Sequence, residues 1–339
     1  SPKQLAPVLF EEMGLPIIKR TKTGYSTNAE VLERLAPDHE IARLLLDYRK
    51  FEKLITTYVD VLLREIDDED GRVHCQFNQT ASTTGRLITS DPDLQRTPVR
   101  TDEGRRIRRL FQAPEGYQLL VADWSQVELR ILAHLCSDPV LLDAFQKGAD
   151  IHKRTASELF SKPEDEVTKQ ERDTAKTANF ATIYGQGASA LAQNLGIPKK
   201  EAEGIIKRYF EVYNGVKDWI DQTMEEARVL GRVQTIAGRT RFIPELFSKN
   251  FAVRQAGERM AVNTPVQGSA ADICKRVMLK IDDEMKSRPH LKSRMLLQIH
   301  DELVFECPDD EVAEMRRLVT EQMEQAWAMK VPLVVSVGV

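Results

Sequence analysis

The sequence predicts an α+β fold, an antiparallel sheet whose strands are separated along the chain by a long helical insertion. Three observations carry this. The run Tyr117-Gln-Leu-Leu-Val-Ala-Asp123 is apolar and short, as a buried strand is. Met295-Leu-Leu-Gln-Ile299 and Leu303-Val-Phe305 flank His300 and Asp301, which reads as a hairpin with that pair near its tip. Between these segments, residues 138 to about 230 are almost wholly helical in pattern. The resulting order along the chain is helical, mixed, helical, mixed, which suggests a sheet domain with helices inserted.

Taken in order, residues 1 to about 65 are helical and highly charged. Leu44 to Leu54 has apolar positions at helical spacing, and the pattern continues to Tyr58 and Leu62. Residues 66 to about 100 break into strands and loops, with a turn ending at Gly71 and a strand candidate over Arg72–Phe77. A helix is expected from Ser125 to Leu135, where Ser125 and Glu128 fit a capping box. The helical insertion breaks at Gly148, Pro163, Gly185 and Pro198. Within it, Thr168 and Glu171 fit a second capping box. A hairpin is expected around Gly231–Phe242, a helix over Val253–Val262, and another from Gly268 to about Met285. A helix around Val312–Met329 and a strand Val331–Val337 close the chain, which has no repeats.

With 339 residues the chain can bury a large core and form two or three subdomains. Its net charge of −4 does not by itself indicate a polyanion partner. The cations cluster, however: Arg105, Arg106, Arg108 and Arg109 fall together, Arg239 and Arg241 follow Gly238, and Lys169, Arg172 and Lys176 share a helix. Such clusters neutralise phosphates locally, although each alone also suits a solvated face. Cys75, Cys136, Cys274 and Cys307 lack CxxC spacing, which argues against zinc and disulfides and fits a reducing compartment. No apolar run approaches the ~20 residues of a membrane span, and no signal peptide is visible. The chain opens on Ser1, so it is expected to be a piece of a longer protein.

The chemistry starts from Asp123 and Asp301. A lone Asp at a strand end is most often a helix-start residue. If the two strands are neighbours, however, two carboxylates converge and make a site for hard Mg²⁺ ions, as used in in-line phosphoryl transfer. Arg172, Lys176, Phe180 and Tyr184 advance four residues at a time and drift only about 40° per step, so they form one slanted stripe. Its cations suit a triphosphate and its rings suit a base and sugar. Arg86 and Gln95, in a polar loop segment, are candidate donors to minor-groove acceptors. So are Gln267 and Gln298, with Arg259 and Asn263 one helical turn apart just before Pro265. Gln267 also reads as a helix-start residue.

Together these segments resemble the family A DNA polymerases. The resemblance runs through Thr84-Gly-Arg86-Leu87, Asp123-Trp-Ser-Gln126-Val-Glu128, Arg172 to Gly185, Pro265-Val-Gln267-Gly268 and Gln298-Ile-His-Asp-Glu302, and covers essentially the whole chain in order. It implies a right-hand polymerase fold, with an antiparallel-sheet palm, a helical fingers insertion and a partial helical thumb. Residues 1–65 would be partial thumb, 66–137 the first part of the palm, 138–252 fingers and 253–339 the second part of the palm. Asp123 and Asp301 would bind two Mg²⁺ ions, with Mn²⁺ as a substitute.

The resemblance also assigns roles. Lys176 would donate a proton to pyrophosphate, with Glu302 in support. Arg172, Lys176, Phe180, Tyr184, His152, Gln126 and Glu128 would bind the nucleotide, Glu128 as a steric gate against ribose. Arg86, Gln95, Arg259, Asn263, Gln267, Gln298 and His300 would contact DNA. The implied partners are primer–template DNA and dNTPs, the implied state a monomer off the membrane, and the implied place the nucleoid if the source is bacterial. No proofreading is expected from this stretch. Trp124 departs from the usual Tyr, and Asp93 and Arg96 from the usual Asn residues. A single-subunit RNA polymerase and a non-catalytic primer–template binding module are the alternatives. Glu128 weighs against the first and the facing carboxylates against the second.

Overall fold

The computed structural model describes residues 1–22, 24–98 and 101–339. They form two compact units, Ser1–Gln76 with Thr89–Phe111 and Phe77–Ile88 with Gln112–Val339.

In the first unit, helices Ala29–Leu35 and Glu40–Leu54 follow a short hairpin of Arg20–Thr21 with Gly24–Tyr25, which the sequence reading did not separate from the helices. Leu9, Val31, Leu32 and Ala42 are fully buried and form its core. The expected strand over Arg72–Phe77 is shorter and later, Gln76–Asn78.

The second unit is built on a four-stranded antiparallel sheet. Its strands are β1 (Tyr117–Trp124), β4 (Arg294–Ile299), β5 (Glu302–Pro308) and β6 (Val335–Gly338), in the spatial order β6-β1-β5-β4. Leu120 pairs with Phe305 and Ala122 with Leu303, all fully buried, so the alternation along β1 turns one face of the sheet into the core. After β1 come helices α1 (Val127–Cys136), α2 (Pro139–Gln146), α3 (Ile151–Phe160), α4 (Lys169–Ile183), α5 (Ala188–Leu195), α6 (Lys199–Val212) and α7 (Asn214–Leu230). The hairpin β2 (Arg232–Gln234) and β3 (Thr240–Phe242) leads into α8 (Phe251–Lys286). The helix α9 (Val312–Glu324) lies between β5 and β6. The helical breaks fall as expected: Gly148 and Gly185 take positive φ of 66° and 60°, and Pro198 caps α6.

Three expectations are corrected. The two helices around Pro265 are one continuous helix of 36 residues, so Gln267 lies inside it and not at a start. Proline inside a helix costs ~3 kcal/mol, but α8 buries Gly257, Ala261, Val262, Val266, Ile273 and Val277, and that packing outweighs the lost bond. Side chains also take up backbone acceptors there, Thr264 Oγ1 donating to Met260 O at 2.6 Å and Ser269 Oγ to Pro265 O. The last helix ends at Glu324 and not near Met329. The last strand starts at Val335 and not at Val331, because Ala326, Val331 and Leu333 are buried in the loop that joins them. Trp124 is also settled here: it is 3% exposed, and its indole N–H donates to Met323 O at 3.0 Å, which ties β1 to α9.

Candidate active site

The two aspartates meet because β1 and β5 are neighbours. Asp123 stands opposite Glu302 in the antiparallel register, and Asp301 occupies the turn between β4 and β5. His300 opens that turn in the left-handed region at φ 53°, and the Gln298 side-chain amide donates to His300 O. The Trp124 N–H reaches Asp301 O at 3.4 Å. Three carboxylates therefore share one end of the sheet. Burial, then the charges of Glu302 and Asp301, push the Asp123 carboxyl up to about 7. Burial also raises Asp301, with Glu302 adding to the rise and Arg86 opposing it. Among the described residues, no three His, Cys, Asp or Glu side chains form a ready-made metal cage.

The helix after β1 does not start with the expected capping box. Ser125 lies in the turn after β1, its N–H bound to Val334 O at 2.9 Å, and Gln126 becomes the cap in a left-handed conformation at φ 55°. Arg130 fixes this turn by donating to Ser125 O at 2.8 Å and Pro332 O at 2.7 Å. Glu128, freed from capping, is 5% exposed and faces two partners. The Arg86 guanidinium binds Oε1, and the Tyr184 hydroxyl donates to Oε2 at 3.0 Å. Burial is the largest influence on Glu128 and raises its carboxyl in spite of both partners.

The α4 stripe forms as expected, and the Thr168–Glu171 capping box that starts the helix is complete. Arg172 donates to Asp150 Oδ2 at 2.8 Å. Asp150 also caps α3, accepting from the His152 and Lys153 N–H groups at 3.0 and 3.1 Å. Burial pushes the Asp150 carboxyl up, but Arg172 and those N–H groups together hold it below its usual range. Lys176 is exposed and, among the described residues, makes no ion pair. The Phe180 and Tyr184 rings stack with centroids 6.2 Å apart and planes at 18°. His152 is 3% exposed with its ring 5.9 Å from that of Phe180, and burial pushes its imidazole down to about 4.

Arg259, Asn263 and Gln267 recur every four residues on one side of α8. Arg259 lies against Gly185, where an added Cβ would meet its Cα at 3.4 Å, and Asn263 Oδ1 is buried without a partner among the described residues. Gln298 is buried and His300 exposed. Gln95 belongs to the first unit, where its Oε1 accepts from the Thr89 N–H at 3.3 Å.

The sequence reading grouped Arg239 with Arg241 as a phosphate-neutralising pair, but in the structure Arg239 is an anchor. Its guanidinium donates to Thr84 O at 2.7 Å, Gly268 O at 3.1 Å and Asp272 Oδ1 at 2.8 Å, which pins the loop that carries Arg86 to α8. Gly85 and Gly268 make room for it, since an added Cβ would lie 2.5 and 2.9 Å from Arg239 atoms. Those two glycines were the available signal. Asn179, fully buried beside His152, was missed by the sequence reading.

The chain matches the sequence pattern of DNA polymerase family A over residues 1–339. It is 48% identical over 334 residues to DNA polymerase I of Bacillus subtilis (strain 168), covering 98% of this chain and 38% of that protein. It is 48% identical over 338 residues to the thermostable DNA polymerase I of Thermus aquaticus, covering 99% of this chain and 40% of that protein. The chain thus spans well under half the length of these relatives. Among solved structures, it superimposes on the POL domain of Pol1 from M. smegmatis, in complex with DNA primer-template and dNTP, with a TM-score of 0.93. That match has 46% identity and covers all of this chain and 60% of the other.

Proposed function

From the premise that this chain belongs to DNA polymerase family A, we propose that it adds deoxynucleotides to a primer 3′ end on a DNA template. The observation that carries the reading is the meeting of Asp123, Asp301 and Glu302 at one end of the sheet, in the same unit as a helix that presents Arg172, Lys176, Phe180 and Tyr184 in one stripe. The helices α2 to α7, inserted between β1 and β5, support reading residues 138–252 as fingers and 66–137 with 253–339 as palm, with 1–65 as part of a thumb.

Asp123 and Asp301 fit divalent cations: like charges crowd them and burial raises both, the state that a bound cation relieves. Asp123 and Asp301 would hold two Mg²⁺ or Mn²⁺ ions. Few protein ligands suit Mg²⁺, which keeps waters and substrate phosphates in its shell. Such ions, when bound, polarise the phosphoryl oxygens and favour the ionised 3′-hydroxyl.

The chain's own residues do the rest. Arg172, aimed by Asp150, grips the triphosphate as a fork and Lys176 as a point charge, and Lys176 supplies a proton to pyrophosphate. Phe180 stacks on the nucleotide and Tyr184 lines the template side. Gln126 and Glu128 border the sugar, where Glu128 excludes a 2′-hydroxyl by its bulk. Arg86, Gln95, Arg259, Asn263, Gln267, Gln298 and His300 face the primer–template. Closure of the α4 helix on a correct pair completes the site. The relatives' bacterial sources support action at DNA in the cytoplasm.

Primer extension with dNTPs and Mg²⁺, wild type beside Asp301→Ala, tests the reading. Extension only by the wild type is expected. Equal extension by both, or none by a wild type that binds primer–template, sinks it.

A further inference from the structure

We infer that Asn179 is a positioning residue that holds His152 as the neutral Nε2–H tautomer, through a chain of hydrogen bonds whose proton directions are all fixed. Thr155 Oγ1 lies 2.7 Å from Ile151 O, 2.8 Å from the Tyr213 hydroxyl, 3.1 Å from Asn179 Nδ2 and, furthest, 3.3 Å from Asn179 Oδ1. A carbonyl only accepts, so the single hydroxyl proton of Thr155 goes to Ile151. Its oxygen is then left to accept from the Tyr213 O–H and from one N–H of Asn179. The other N–H of the same amide points at His152 Nδ1, 3.1 Å away. An amide nitrogen only donates, so Nδ1 is bare and the ring proton sits on Nε2.

The reversed amide is worse. Its oxygen would lie 3.1 Å from Nδ1 and 3.1 Å from Thr155 Oγ1, whose proton is already committed, and its nitrogen would keep only the longer contact to Thr155 Oγ1 at 3.3 Å. Water cannot repair this, because Thr155, Asn179 and Tyr213 are 0% exposed and His152 is 3% exposed. The chain draws on three separate helical elements, α3 for His152 and Thr155, α4 for Asn179, and the cap of α7 for Tyr213. The directions are therefore set by tertiary packing.

The charged groups that face His152 are Asp150 on its own helix and Arg172, Asp173 and Lys176 on α4. Two carboxylates and two cations oppose one another, so burial leaves the ring neutral. Among the described residues Nε2 has no partner. The site thus offers an N–H donor near the Arg172 and Lys176 stripe, and its charge does not change with pH above about 5. What that donor meets rests on the polymerase reading, an oxygen of the triphosphate. The tautomer itself does not.

The test uses the full chain labelled with ¹⁵N-histidine, in metal-free buffer, read by long-range ¹H–¹⁵N correlation. The chain has six histidines, and His152→Gln identifies the signal. The expected result is an Nε2–H pattern for His152 that holds from about pH 8 to about pH 5. An Nδ1–H pattern, averaged tautomers or an ordinary histidine midpoint overturns the inference. In Asn179→Asp a carboxylate faces Nδ1, so the midpoint should rise by at least tenfold in proton affinity and the dNTP KM should become pH-dependent. A folded Asn179→Asp chain with the wild-type pattern also overturns it. If that variant does not fold, the wild-type spectrum decides alone. A chain with the expected tautomer that extends no primer leaves this inference standing and removes the polymerase reading.

Discussion

Glu128 separates stability from function, and Glu128→Gln exposes the difference. The carboxylate is 5% exposed between Arg86 and Tyr184. Turning it into an amide weakens both bonds, the Tyr184 bond to a neutral one and the Arg86 bond to one that keeps only the guanidinium charge, a loss of ~1 kcal/mol each. Against this, the desolvation of a buried carboxylate disappears, while the Arg86 side chain, 31% exposed, keeps water for the charge it retains. The direction of the carboxyl's titration decides which wins. It is raised from 4.5, so the fold favours the protonated form and disfavours the anion, Arg86 and Tyr184 included. For a raised acid, stability is fully present below the unfolded value of 4.5 and is lost as pH rises through the folded value. Glu128→Gln should therefore match or exceed the wild type at neutral pH by up to ~1 kcal/mol, and the difference should fade in acid. Glu128→Ala leaves Arg86 and the Tyr184 hydroxyl without their partner and opens a void, a loss of ~2–4 kcal/mol. Urea unfolding in chelator at neutral and acid pH measures both. Primer extension should fall in both variants, and ribonucleotide exclusion should fail only in the alanine variant. A glutamine variant that is less stable than wild type by more than ~1 kcal/mol at neutral pH, or equally shifted at both pH values, refutes the reasoning.

Three further outcomes follow from the same structure. The imidazole of His152 falls from 6.5 to about 4, so the unfolded chain binds the extra proton first; stability drops as pH falls through that window, by at most ~3 kcal/mol, and His152→Gln should flatten this stretch of the unfolding curve. Asp138, fully buried, caps α2 through the Val140 and Leu141 N–H groups at 3.0 and 3.1 Å and accepts from Gly215 N at 3.0 Å; Asp138→Ala should cost ~2–4 kcal/mol in denaturant unfolding and Asp138→Asn clearly less. In Gly268→Ala the new methyl would meet Thr235 Cγ2 at 2.7 Å and Arg239 Nη2 at 2.9 Å, so Arg239 should lose its hold on Thr84 O; primer–template affinity should drop with a stability loss of ~1–3 kcal/mol, and an unchanged affinity would show that the Arg86 loop does not depend on this anchor.

What the sequence determined by itself is what lies within one segment. The short apolar run Tyr117–Asp123 gave the strand, the Thr168–Glu171 spacing gave a capping box that forms, and the glycine and proline breaks gave the ends of the inserted helices. The same local rule failed at Ser125, where a capping spacing was present but Arg86 and Tyr184 took Glu128 away from it. It failed again at Pro265, where the burial of α8 outweighed a helix breaker. Spacing constrains residues one turn apart, because backbone geometry alone fixes their distance. The register that sets Asp123 opposite Glu302, the anchoring of Arg86 by Arg239, and the proton directions from Tyr213 to His152 join residues on different elements. Only tertiary packing decided those contacts, because only the exclusion of water from the assembled core makes one donor–acceptor arrangement better than its alternatives.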